Sequence, residues 1–205
     1  MFVLIEKGGI IMILIMILSV LAAVIIIERL LFFRKIKVDE ESLINRLKAT
    51  LGKGHYDEAI DICENNPSPI ANLIKVGIEH RDYPTSDMKE AITSAANLEI
   101  PQLERYLTSL GTIAHISPLL GLLGTVTGNI KAFGVLGSSG AVGDPSLLAT
   151  GISEALLTTA AGIVVSVPAI TFYNYLVNRV NHMIIRMENR VNELILFIGG
   201  SEKER

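Results

Sequence analysis

The chain has 205 residues, half of them hydrophobic, a mean hydropathy of +0.47 and 19% charged residues. That is too apolar for an ordinary soluble domain, in which about a quarter of residues are charged. The net charge of −3, with no basic patch, excludes a nucleic-acid-binding domain, and the single cysteine, Cys63, excludes an intrachain disulfide.

The charges gather between Asp39 and Arg105, as expected of membrane spans around one hydrophilic domain. The run from Ile10 to Ile27 carries no charge and is about 27 Å long as a helix, enough to cross a bilayer. Glu6 and Lys7 precede it and the basic cluster Arg29, Arg34, Lys35 and Lys37 follows it, which predicts a retained anchor rather than a signal peptide. The first span is placed at about Gly8 to Phe33, within a segment 1–37.

A helical hydrophilic domain is expected over 38–105. Leu43, Leu47 and Leu51 recur every four residues and predict a helix from Asp39 to Leu51, stopped by Gly52 and Gly54. Further helices are predicted at Tyr56–Glu64, where Cys63 reads as a small core residue, and at Pro69–His80. After the Asp82-Tyr83-Pro84 break, Asp87-Met88-Lys89-Glu90 has the form of a capping box, opening a long helix that runs directly into the second span. Pro101 lies inside it and either kinks it or marks a break.

The second span is expected within 106–136, a Gly- and Ser-rich loop over 137–146, the third span within 147–178, and a polar amphipathic tail over 179–205. Lys and Arg flank the far end of span one, the start of span two and the end of span three, whereas the loop between spans two and three has none. The positive-inside rule then predicts a cytoplasmic hydrophilic domain and C-terminus, with the N-terminus outside.

Spans two and three carry stripes of small residues. Gly111, Ala114, Pro118, Gly121, Thr125, Gly128 and Ala132 fall on one face of the first, and Gly151, Ala155, Thr158, Gly162, Ser166 and Ala169 on one face of the second. Such faces suit close helix packing. They also suit a conduit, in which Gly121, Gly128, Ala155, Gly162 and Ser166 line a pore, and both readings stay open. Thr125, Thr158 and Thr159 form a candidate polar belt whose hydroxyls would hold water, or bond back to their own helices. Glu154 is a carboxylate near the outer end of span three, a costly position that points to proton guidance or, failing that, to an interfacial residue at a helix start. His115 and Lys131 lie near opposite ends of span two.

No phosphate-binding loop, metal-ligand cluster or nucleophile elbow occurs, so neither an enzyme nor a cofactor is expected. The stretch from Thr112 to Gly128 (TIAHISPLLGLLGTVTG) resembles the second-span signature of the MotA/TolQ/ExbB proton-channel family. Gly151 to Gly162 (GISEALLTTAAG), followed by Val167-Pro168-Ala169 and Tyr173-Asn174, resembles its third-span signature, closest to ExbB and TolQ. His115 departs from that pattern, in which a small or hydroxyl residue is commoner. The resemblance implies an all-α inner-membrane protein forming a homopentamer around a pore. It implies a one-span ExbD/TolR-like partner supplying a proton-carrying aspartate, and a TonB- or TolA-like transducer driven by the proton motive force. It implies that Thr125 and Thr159 line the pore and that Glu154 serves function. The downstream work is left open among TonB-dependent uptake, envelope maintenance and motility. A structural scaffold or a free-standing transporter are the contrasting classes; the latter lacks the internal repeat and broken helices such proteins show.

Overall fold

The computed structural model describes residues 2–37, 39–138 and 145–202. Among these there is no β-strand. Seven helices follow one another: α1 (Phe2–Lys35), α2 (Glu40–Leu51), α3 (Tyr56–Glu64), α4 (Pro69–Glu79), α5 (Thr85–Glu104), α6 (Leu107–Ser138) and α7 (Pro145–Glu202). Three helical stretches, within Gly9–Leu51, Thr85–Gly134 and Ala149–Phe197, are long and apolar enough to cross a membrane. The expected loop over 137–146 is helical at both margins, and its residues 139–144 lie outside the described residues.

The chain divides into two compact units. The first comprises Met1–Arg29 and Tyr106–Leu176. Here α1 buries only a narrow face, including Met12, Ile15 and Ala22, and exposes Ile10, Val20, Val24 and Ile27, as an apolar helix in contact with lipid does. At its end Arg29 is 2% exposed; its Nε and Nη2 donate to the two Glu28 carboxylate oxygens at 2.5 and 2.6 Å, and its guanidinium lies 5.6 Å from the Tyr106 ring centroid. The salt bridge and the ring face give a buried cation the partners it needs at that depth.

The second unit comprises Leu30–Arg105 and Val177–Arg205. Asp39 caps α2 by accepting from the Ser42 N–H at 3.3 Å, and Ser68 caps α4 by accepting from Ala71 at 3.2 Å with Pro69 in the first turn. Gly54, at φ 76°, turns the chain between α2 and α3 where a side chain would be strained. Leu43, Leu47, Ile62, Cys63, Leu73, Ile74, Ile78, Met88 and Ile92 form the core, joined by Val180, Met183, Met187 and Leu194 of α7.

Two expectations need correction here. The helix α5 begins at Thr85 after Pro84, and Asp87 is not its cap: Asp87 lies within the first turn, and its carboxylate accepts from Ser86 Oγ at 2.8 Å. Its N–H already bonds the Pro84 carbonyl at 2.9 Å, so the capping-box arrangement has no role to fill. Nor does the helix run unbroken into the second span. It ends one turn after Pro101, where Arg105 is extended (ψ 133°) and Tyr106 is left-handed (φ 64°), and α6 starts afresh. A left-handed aromatic residue is strained, and the Arg29 contact to its ring favours holding it there.

Candidate functional site

Helices α6 and α7 run antiparallel along a seam made by their small residues. A Cβ added at Gly162 would meet the Ser117 carbonyl at 2.5 Å and Gly121 Cα at 3.2 Å; one at Gly128 would meet Ala155 Cβ at 2.7 Å; one at Gly151 would meet Ala132 Cβ at 2.8 Å. Gly121 itself faces the Thr158 carbonyl and Thr159 Cα, both at 2.9 Å from such a Cβ. Only glycine permits this approach of backbones, which is how helices gain association energy in lipid. Of the two readings left open for the stripes, packing is what the chain displays. Gly121, Ala155 and Gly162 are buried against the neighbouring helix of the same chain, and Gly128 and Ser166 are half-buried beside them.

Thr125 and Thr159 meet along one edge of this seam, their hydroxyl oxygens 3.3 Å apart. A hydroxyl has one proton to give. Thr159 gives its proton to the Gly121 carbonyl at 2.8 Å, and Thr125 gives its own to the Leu122 carbonyl at 2.7 Å. At 3.3 Å either hydroxyl could instead donate to the other. With both protons on the shorter carbonyl bonds, the two half-buried oxygens are left as acceptors that suit a third group bringing a proton: a water, a hydronium ion or a protonated carboxylic acid.

The other expected site residues lie elsewhere. Thr158 is 2% exposed and points into the seam, where the missing side chain of Gly124 makes room for it; its hydroxyl donates to its own helix, to the Ala155 carbonyl at 2.8 Å. Glu154 is half-buried and, five residues before Thr159, is turned from it by about 140° around α7, onto the opposite flank of the seam. The structure thus joins Thr125 to Thr159 and separates both from Thr158 and Glu154.

A profile of the MotA/TolQ/ExbB proton channel family matches residues 65–189, more than half the chain, and takes in both helices of the seam. The chain belongs to the MotA/TolQ/ExbB proton channel family. It is similar to the putative biopolymer transport protein ExbB-like 3 of Synechocystis, with 32% identity over 169 residues that cover 82% of this chain and 80% of that protein. It is 35% identical to the biopolymer transport protein ExbB of Aquifex aeolicus over 56% of this chain and 76% of the other. To the Tol-Pal system protein TolQ of Haemophilus influenzae it is 43% identical over 91 residues, 44% of this chain. It is therefore a membrane protein of the ExbB/TolQ kind with three apolar helices.

In this family member the sequence reading missed how Ser166 is held. Pro118 has no N–H, so it leaves the carbonyl four residues earlier, Ala114, without its helical donor. Ser166 Oγ supplies one at 2.6 Å from the other helix. The signal was present in the sequence as a proline on one stripe and a serine on the other, but their pairing depends on the register between the helices. Gly111 was read as part of the stripe; its function is to admit the Tyr173 ring, which an added Cβ would meet at 2.9 Å.

Proposed function

We propose that this chain is the channel-forming stator subunit of a proton-driven inner-membrane motor. In this reading five copies surround a central pore that holds the membrane helices of a one-span partner of the ExbD/TolR kind. The partner's membrane aspartate carries the proton, because this chain has no mid-span aspartate of its own. The single observation that carries the reading is the Thr125–Thr159 pair, two hydroxyl oxygens 3.3 Å apart that each also bond a backbone carbonyl, on two helices long and apolar enough to cross a membrane. A protonated partner carboxyl donates to this pair while neutral and leaves it once ionised, so the pair holds one protonation state in preference to the other. Motion of the partner then drives a TonB- or TolA-like transducer. The names of its relatives, a biopolymer transport protein and a Tol-Pal system protein, support that direction. The basic residues at the ends of spans one and three support an outward N-terminus and a cytoplasmic C-terminus. Glu154, on the opposite flank, is assigned to the outer mouth.

The test is proton flux through vesicles holding the full chain co-purified with its partner. Thr125→Val and Thr159→Val are expected to abolish flux while oligomer size is kept, and Thr125→Ser to retain most of it. A scaffold that moves no ions would show no flux in the wild type, and that result, or normal flux in both valine variants, rejects the proposal.

A further inference from the structure

We propose that the His115 imidazole is the proton-transfer group at the cytoplasmic end of the threonine edge, working beside the Ser166 hydroxyl. The inference rests on the proton-channel reading above and extends it to the exit of the path.

Helical register places His115 on the Thr125 flank of α6: the positions 115, 118, 122, 125 and 129 follow at intervals of three and four and form one ridge. On α7, Thr159, Ser166 and Tyr173 recur every seven residues and make the facing ridge, on the same edge as the Thr125–Thr159 contact. The two ridges cross levels where Ser166 donates to Ala114, the residue before His115. One edge of the seam therefore carries a threonine pair, then Ser166 about 10 Å deeper, with His115 beside it and Tyr173 below. On α6 the positions between Thr125 and His115 on this ridge are Leu122 and Pro118, which offer no side-chain proton acceptor. Water against Ser166 is what bridges that interval.

The imidazole is also set in one tautomer. Its Nδ1 lies 2.6 Å from the Gly111 carbonyl, which only accepts, so Nδ1 carries the hydrogen. Nε2 is then the free lone pair, and the side chain is exposed rather than packed into the seam. Ser166, with its proton on Ala114, offers an oxygen lone pair that orders a water on this edge. The transfer balances on its own. Nε2 takes a proton from a hydronium in the path to give imidazolium with Nδ1–H unchanged, and the same Nε2 proton then leaves to cytoplasmic water. The other ionisable side chains at this end of the unit are Tyr173 and Tyr175 on α7, Tyr106 at the start of α6, and Glu28 and Arg29 on α1, the last two paired to each other.

The experiment measures proton flux into vesicles holding the full chain with its one-span partner, as a function of pH on the cytoplasmic face from about 5.5 to 8. The wild type is expected to show a flux that titrates across this range. His115→Gln, which keeps the Gly111 hydrogen bond without a titrating nitrogen, is expected to lose roughly tenfold or more of the flux together with its pH dependence. His115→Ala is expected to regain flux when imidazole is added. A flat wild-type profile, a His115→Gln protein with wild-type flux and profile, or one reduced equally at every pH with no imidazole rescue of His115→Ala each overturns the inference. Thr125→Val in the same vesicles separates the two claims. If it is inactive while His115→Gln is normal, the channel reading stands and this extension falls; if it is fully active, the channel reading itself falls.

Discussion

At the residue scale, the Pro118–Ser166 pair shows how the seam is both tight and specified. A backbone carbonyl without a donor costs about 1–3 kcal/mol, and in lipid no water relieves it. Ser166→Ala strands the Ala114 carbonyl and is expected to destabilise the chain by about 1 kcal/mol, near the upper part of what single hydrogen bonds between membrane helices contribute. Pro118→Ala restores the N–H that bonds Ala114 within α6, so Ser166 is no longer needed there. In the double variant the loss from Ser166→Ala is expected to disappear, giving a coupling that a double-mutant cycle measures by unfolding in detergent. Strict additivity of the two changes would show that Ser166 does not replace the missing donor.

At the scale of elements, α4 is the most deeply embedded helix of the hydrophilic unit: Leu73 is 1% exposed, Ile74 and Ile78 fully buried. Its start depends on Ser68, itself 7% exposed, which accepts from Ala71. Ser68→Ala removes that acceptor where water reaches poorly and is expected to cost about 1 kcal/mol, seen as faster hydrogen exchange at Ala71 and through the first turn of α4. Asp39→Ala, at an exposed cap, should have the smaller effect, and equal exchange in the two would contradict the burial argument. Much of this layer was legible in the sequence. The four-residue recurrence of Leu43, Leu47 and Leu51 and the apolar faces of the next two segments gave α2 to α4 close to their observed bounds, because burial on one helical face leaves a periodic trace. The break at Arg105–Tyr106 was not legible: Pro101 marks its neighbourhood, but the left-handed turn falls on a tyrosine, a residue that carries no turn signal. The threonine pair was legible as two stripes with hydroxyls on them. Which hydroxyls meet was not, since Thr158 and Thr159 are neighbours in sequence and a rotation of 100° decides that one enters the seam and the other its edge.

At the scale of the whole molecule, ionisable contacts in the hydrophilic unit set a pH range for its stability. Glu193 is held below the usual carboxylate range by hydrogen bonds from Lys48 and from Arg190, the latter at 2.9 Å. Its contribution is complete above the ordinary carboxylate value and is lost as pH falls through the lowered one; being exposed, it is screened and small. The alkaline side is governed by Cys63, whose thiol burial pushes up from 9.0 to about 11, with Lys75 opposing that shift. A raised value means that the folded chain keeps a proton the unfolded chain releases. The stability is therefore unchanged below about 9 and falls as pH rises from there to about 11, by about 3 kcal/mol at most. Lys75, raised by its hydrogen bond to Glu64, adds a loss that begins only above 10.5. Cys63→Ala is thus expected to remove the decline between pH 9 and 10.5 while leaving the one that begins beyond it. At pH 7.5 the same protonated, buried thiol should resist iodoacetamide in the folded chain and react after unfolding in urea. Rapid alkylation of the folded protein at that pH, or an unchanged alkaline decline in Cys63→Ala, would place Cys63 outside the packed core.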